Sequence, residues 1–232
     1  SFLAAKPVEV PVTVIGVGSN LLVRDGGISG VVVRLGPAFA QIEIEGDLVR
    51  AGAGAHDLSV AMACRDAGIA GLEFLSGIPG TIGGAVRMNA GAFDVEIADV
   101  VVKVEALDRR GNTHTLMPAD LGLSYRHCEA SRDLIFTSAV LRGVQGAEVD
   151  IDRRMDEIKQ TREENQPTRG QTGGSTFLNP GGRDSDGVKA WELIDRAGCR
   201  GLRRCDAMVS EKHCNFLVNR GSATAEDLER LG

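Results

Sequence analysis

The stretch over residues 75–93, LSGIPGTIGGAVRMNAGAF, limits what this chain can fold into more than any other part of it. Gly77, Gly80, Gly83, Gly84 and Gly91 stand there among mostly small residues. A run with so little side-chain bulk makes a poor core by itself. It makes a poor solvent loop too, because so much of it is apolar. The pattern becomes sensible if a large flat ligand fills the space that side chains would otherwise take, with Pro79 and the glycines fixing a tight backbone path past it. A glycine-rich surface turn is the blander alternative, and the ligand-binding reading is favoured over it.

A second glycine loop, Gly16-Val-Gly-Ser-Asn20, directly follows the β-branched run 12–15, which reads as a buried strand. Gly16 and Gly18 let the chain turn with its N–H groups outward, as a pyrophosphate requires, and Ser19 and Asn20 can add side-chain hydrogen bonds. The Rossmann fingerprint fails. Leu21 holds the place of the third glycine, and no acidic residue follows at the expected distance. The triphosphate-binding pattern G-x-x-x-x-G-K-[ST] is absent as well. On its own, this loop is equally compatible with a plain turn between strands.

Around these loops the pattern is strand-rich. Residues 30–35 read as a strand, 41–53 as a hairpin about Gly46-Asp47, and 57–68 as a helix that Asp57 is placed to cap and Gly68 to stop. Residues 100–107 and 113–117 read as paired strands, and 134–141 as another. Beyond Gly143 the composition changes. Residues 149–166 read as a charged helix with Ile151, Met155 and Ile158 on one face, and 168–174 as a polar, flexible loop. A helix over 188–197, a strand over 215–219 and a helix start at 222–231, with Thr224 and Asp227 three apart, follow. This is an α+β pattern in two domains, 1–145 and 146–232, divided near 143–148. The first strand lies almost at residue 1 and the last helix stops after about two turns, so both ends read as cuts through a larger fold.

Composition removes several classes of function. The 43% hydrophobic and 25% charged fractions are those of an ordinary globular protein, and the net charge of -6 argues against a nucleic-acid surface. No apolar run approaches the ~20 residues a membrane span needs. Lys6, Pro7 and Glu9 interrupt what would have to be a signal peptide, so a cytoplasmic location is expected. The five scattered cysteines form no C-x-x-C pair and suit reduced thiols. Cys199, Cys205, His213 and Cys214 lie close in sequence but match no zinc spacing, so no metal is expected. No obligate protein partner is evident.

Two further segments carry candidate chemistry. Arg126, beside Tyr125, could hold an anionic group or stabilise a developing enolate; an arginine on a surface turn would look the same. Ser175 lies in Gly173-Gly-Ser-Thr-Phe-Leu-Asn-Pro180. A nucleophile elbow would need glycine where Phe177 stands, so an acyl-enzyme is excluded. Ser175 could instead serve as a positioned proton donor, with Asn179 reaching a phosphate or sugar, although a flexible glycine-serine turn fits equally well.

Taken in order, these blocks resemble the UDP-N-acetylenolpyruvoylglucosamine reductase family, also called UDP-N-acetylmuramate dehydrogenase. Residues 16–23, residues 77–84 continued by 88–92, Tyr125-Arg126, residues 174–180 and residues 210–216 match family blocks collinearly across nearly the whole chain. The resemblance implies an FAD-binding domain of the PCMH/vanillyl-alcohol-oxidase type, followed by a smaller α+β substrate-binding domain. It implies that Gly16, Gly18, Ser19, Asn20 and Leu21 hold the flavin pyrophosphate. Gly77, Ile78, Pro79, Gly80, Thr81, Gly83, Gly84, Asn89 and Gly91 would form a second flavin loop. It further implies that NADPH reduces FAD and then gives way to the UDP-sugar enolpyruvate. Reduced FAD delivers hydride to the vinyl carbon, Ser175 protonates the adjacent carbon, Arg126 stabilises the enolate, and Tyr125 and Asn179 hold the substrate. A glutamate works beside the arginine in the family; Glu226 and Glu229 lie too early to be it, and it is assigned to no residue here. The short interval from Arg126 to Ser175 implies the subtype without an extra substrate-capping loop. An alcohol oxidase on the same fold is the alternative enzyme, against which the Tyr-Arg and Gly-Ser-Thr-Phe blocks argue. A non-catalytic flavin- or nucleotide-binding fragment is the other alternative.

Overall fold

A computed structural model describes residues 2–7, 9–182 and 187–232. The chain forms two compact units: Ser1–Val17 with Gly30–Lys159, and Gly18–Ser29 with Gln160–Gly232.

In the first unit, strand β1 (Val12–Ile15) runs parallel to β2 (Val31–Arg34), pairing Val12 with Val31 and Ile15 with Arg34. Strands β3 (Ile42–Glu45) and β4 (Leu48–Gly52) form the hairpin read at 41–53, and its two-residue loop opens on Gly46 at φ 61°. That positive φ at the first loop position matches the right-handed twist of the strands and suits glycine. Helix α1 (Asp57–Asp66) and helix α2 (Ile82–Arg87) follow, the latter within the glycine-rich stretch. Strands β5 (Val101–Leu107) and β6 (Thr113–Leu116) pair antiparallel, as read from the sequence. The two-residue strands β7 (Leu123–Ser124) and β8 (His127–Cys128) flank Tyr125-Arg126. Strand β9 (Ile135–Arg142) completes a five-stranded antiparallel sheet ordered β3-β4-β9-β5-β6.

Alternation along these strands sets the core. Val49, Ala51, Val104, Ala106, Ala139 and Leu141 are sealed on one face, and Val60, Cys64, Leu75, Ile82 and Val86 pack against the same cluster. Helix α3 (Glu148–Asn165) buries Ile151, Met155 and Ile158, the expected face. The division between the units falls inside α3, downstream of the 143–148 stretch.

In the second unit, β10 (Gln171–Ser175), α4 (Ala190–Arg196), β11 (Arg203–Arg204), β12 (Ala207–Val209), β13 (Phe216–Asn219) and α5 (Ala225–Leu231) form a sheet ordered β10-β13-β12-β11 with helices. Thr224 caps α5 through its Oγ1, which accepts from Asp227 N at 3.1 Å, while Thr224 N donates to Asp227 at 3.2 Å, as the spacing indicates.

Two local expectations are corrected. Residues 171–175 are a strand rather than a flexible loop. Their polar, glycine-rich sequence carries no strand signal, and pairing with β13, interrupted by a bulge between Thr172 and Ser175, creates the strand. Asp57 does not cap α1, because His56 occupies the cap position and Asp57 the first helical position. The Asp57 carboxyl is fully buried and neither oxygen has a hydrogen-bond partner among the described residues.

Candidate active site

The second glycine loop is strapped to the chain between β4 and α1. Asp57 N donates to Gly80 O at 3.2 Å, Ile82 N to Ala55 O at 3.0 Å and Gly83 N to Ala53 O at 2.9 Å. Gly83 is required by this closeness, since a Cβ there would stand 2.9 Å from Ala53 Cβ and 3.0 Å from Ala53 O. Gly84, its neighbour, faces open space, with only Thr81 Oγ1 at 3.8 Å from a Cβ. Gly16 meets the same threonine, because a Cβ there would lie 2.6 Å from Thr81 Oγ1. Two loops far apart in sequence therefore converge at Gly16 and Thr81. Gly77 packs toward Ile158 and Phe93, Ile78 is half-buried against the core and Pro79 is exposed. Further along the first loop, Gly18 has φ 80° and nothing within 4 Å of a Cβ. The side chain of Leu21 is exposed, as are those of Leu22 and Val23, leaving an apolar strip.

Helix α2 ends in a Schellman turn. Ala90 N donates to Ala85 O at 2.8 Å and Asn89 N to Val86 O at 3.1 Å, which puts Asn89 in the left-handed region at φ 40°. Its buried side chain is engaged within the protein. Nδ2 donates to Glu96 Oε2 and to Ser124 O, both at 2.9 Å, and Oδ1 accepts from Ala98 N at 2.9 Å. Any part that Asn89 plays toward a cofactor therefore runs through loop placement. Gly91 pairs with Glu96 across a tight hairpin whose loop residues Phe93 and Asp94 have φ 54° and 66°. A Cβ on Gly91 would fall 2.5 Å from Glu96 Cγ.

Arg126 is the second residue of the turn between β7 and β8 and sits at φ 55°. That conformation costs a non-glycine residue on the order of 1 kcal/mol and persists only where neighbours hold it. Its Nη2 donates to Gly91 O at 3.2 Å, which ties the turn to the end of the glycine-rich segment. The guanidinium carbon stands 6.0 Å from the Tyr125 ring centre, at the outer limit of a cation–π contact. Arg87, on α2, braces the next segment by donating to Ala130 O at 2.7 Å and Leu134 O at 2.9 Å while lying 4.0 Å over the Phe136 ring.

In the second unit, Ser175 stands exposed at the end of β10, directly after Gly174 at φ 84°. The segment beyond it is clamped by a residue not singled out from sequence. The buried Asn215 accepts from Phe177 N and donates to Phe177 O, both at 2.8 Å, and its own carbonyl accepts from Thr176 N at 2.8 Å. Asn179 Oδ1 accepts from Ala190 N at 3.1 Å, so part of its side chain anchors the start of α4. Ser210 Oγ accepts from Lys212 N at 3.2 Å and His213 N at 3.3 Å. His213 packs edge-on to Phe216 at 4.8 Å, and burial pushes its pKa down. All five cysteines are free thiols, and among the described residues no three His, Cys, Asp or Glu side chains converge as a metal site would require. No helix among them is long and apolar enough to cross a membrane.

Comparison with known proteins shows what the chain is similar to. The family model for an FAD binding domain matches residues 3–117, and that for the C-terminal domain of UDP-N-acetylenolpyruvoylglucosamine reductase matches residues 166–232. The UDP-N-acetylenolpyruvoylglucosamine reductase of Parvibaculum lavamentivorans is 58% identical over 232 residues, which is 100% of this chain and 73% of that protein. That of Paramagnetospirillum magneticum is 59% identical over 230 residues, 99% of this chain and 73% of the relative. The crystal structure of UDP-N-acetylenolpyruvylglucosamine reductase from Thermus caldophilus superposes with a TM-score of 0.87 at 39% identity, covering 97% of this chain and 80% of the other. The chain belongs to the UDP-N-acetylenolpyruvoylglucosamine reductase family.

Proposed function

We propose that this protein reduces UDP-N-acetylglucosamine enolpyruvate to UDP-N-acetylmuramate, a peptidoglycan precursor, with FAD as cofactor and NADPH as reductant. The observation that carries the reading is Arg126, held in a left-handed turn against Gly91 of the second glycine loop. A fixed cation beside a flavin loop suits a reaction that develops enolate charge.

The residues present fit a flavin dinucleotide. Gly18 and Gly84 each leave open space where a side chain would stand, and the strip over residues 21–23 is apolar and exposed. Gly16, Gly18, Ser19, Asn20 and Leu21 would hold the pyrophosphate, and residues 77–84 would line the second side. The chemistry bound FAD supplies is the relay of hydride from NADPH to the substrate's vinyl carbon. Arg126 would balance the negative charge that then spreads onto the substrate carboxylate. Ser175 would give its Oγ proton to the adjacent carbon and recover one from solvent, completing the lactyl ether. Tyr125 and Asn179 would help hold the UDP-sugar, and the unit containing residues 160–232 would be the substrate side. The supply of NADPH and nucleotide sugar supports a cytoplasmic setting.

Separate half-reactions test these roles. In FAD-loaded Ser175→Ala, stopped-flow absorbance should show flavin reduction by NADPH at the parent rate. Reoxidation by the enolpyruvyl sugar should be slower by roughly 10²- to 10⁴-fold. Equal slowing of both halves would contradict the proton-donor role.

A further inference from the structure

Arg126 cannot aim itself. Its left-handed φ of 55° is strained for arginine, and its own side-chain bond to Gly91 O is a single contact at 3.2 Å. The β7–β8 pairing closes the turn, and a side chain from another element holds its base, because Ser124 O, two residues before Arg126, accepts from Asn89 Nδ2 at 2.9 Å. An amide can serve there only in one orientation. The other Nδ2 hydrogen goes to Glu96 Oε2 at 2.9 Å, and Oδ1 takes Ala98 N at 2.9 Å, so a flip would set oxygen against carboxylate and N–H against N–H. Glu96 is itself held. It is buried, it stands at the start of the helical turn Ile97–Val100, and its own N donates to Asp99 Oδ2 at 2.8 Å.

The connections close on themselves. Glu96 pairs with Gly91, and Gly91 O is the acceptor for Arg126. Asparagine is one of the few side-chain-bearing residues that tolerates the left-handed backbone that the end of α2 requires, so one residue both stops the helix and reaches the turn.

We propose that Asn89, oriented by Glu96, is the positioning residue that holds the Tyr125-Arg126 turn and so aims the guanidinium of Arg126 at the substrate. The proposal rests on the role given above to Arg126. Asn89→Gly deletes the side-chain bonds while keeping the left-handed backbone inexpensive. In the FAD-loaded protein this variant should lose much less of its flavin reduction by NADPH than of its reoxidation, because the side-chain bond it deletes reaches the Tyr125-Arg126 turn. Its reoxidation by the enolpyruvyl sugar should slow about 10- to 100-fold, the scale of a displacement near 1 Å. Its dissociation constant for that sugar, titrated on oxidised flavin without turnover, should rise.

A double-mutant cycle decides whether Asn89 acts through Arg126. On an Arg126→Ala background, Asn89→Gly should cost nothing further in the oxidative half-reaction. The same fold-loss on both backgrounds overturns the proposal alone. An Arg126→Ala variant with unchanged reoxidation overturns it together with the role of Arg126. Should Asn89→Gly not fold, Glu96 carries the test. Glu96→Gln, which still accepts from Asn89, should match the parent, and Glu96→Ala should slow reoxidation selectively. Equal behaviour of those two variants overturns the proposal.

Discussion

Asp57 stands in the first turn of α1 with both carboxyl oxygens sealed from water and unpartnered among the described residues. Burial pushes its pKa from 3.8 up to about 8, because the charged form loses its hydration and gains no donor. The sign of the consequence is unusual for an aspartate. Between those two values the folded protein keeps a proton that the unfolded chain has released, so stability falls as pH rises through that window and levels off above it. Asp57→Asn should remove this slope in the flavin-free protein. Its melting temperature should lie closest to the parent's near pH 4 and pull ahead as pH rises, the gap widening by about 3 °C or more between pH 5 and pH 9, as differential scanning fluorimetry would read. Parallel pH profiles would mean the carboxyl is solvated. Such a residue is illegible in advance, since an aspartate before an apolar run reads as a helix cap. Nothing local shows that His56 takes that place.

The glycine-rich segment shows at the scale of an element how neighbouring positions divide two jobs. Gly83 is a packing glycine, pressed within 3.0 Å of Ala53, whereas Gly84 opens onto space. Gly83→Ala should destabilise the fold by about 1–3 kcal/mol through overpacking. Gly84→Ala should leave the unfolding midpoint in urea at or above the parent's, since alanine favours a helix, and should weaken FAD binding in a fluorescence titration. An equal effect of the two on stability would dissolve the distinction. From the sequence the pair looks alike, and the glycine stretch conceals a helix besides. Elements with their own periodicity were readable: the hairpin at Gly46, the pair β5–β6, and α3 with its Ile151, Met155 and Ile158 face. Strand β10 was not, because its reason for being extended lies some forty residues further on, in its partner β13.

For the whole molecule, the α+β class followed from strand spacing and the family from collinear blocks. The way the chain is shared between the units did not follow, because it depends on contacts far apart in sequence. A cofactor spanning two loops should stabilise the fold by mass action. At 100 times its dissociation constant FAD should contribute about 2.7 kcal/mol, a rise on the order of 5–10 °C in melting temperature. FMN, which lacks the second half of the pyrophosphate and the adenosine, should give a clearly smaller rise at equal concentration. Equal rises would mean that the loops hold only the flavin end. Residues 18–29 leave the first unit and are counted with the second, where Arg24 meets Glu229 at 2.7 Å and Ala225 N donates to Asp25 at 3.4 Å. Neither unit is therefore a single continuous stretch of gene. A recombination event with one breakpoint near codon 160 would give the C-terminal half a new parent and leave its early strap from the old one. Inheriting the second unit intact takes two separate exchanged blocks, and chimaeras between relatives need to be cut at three places.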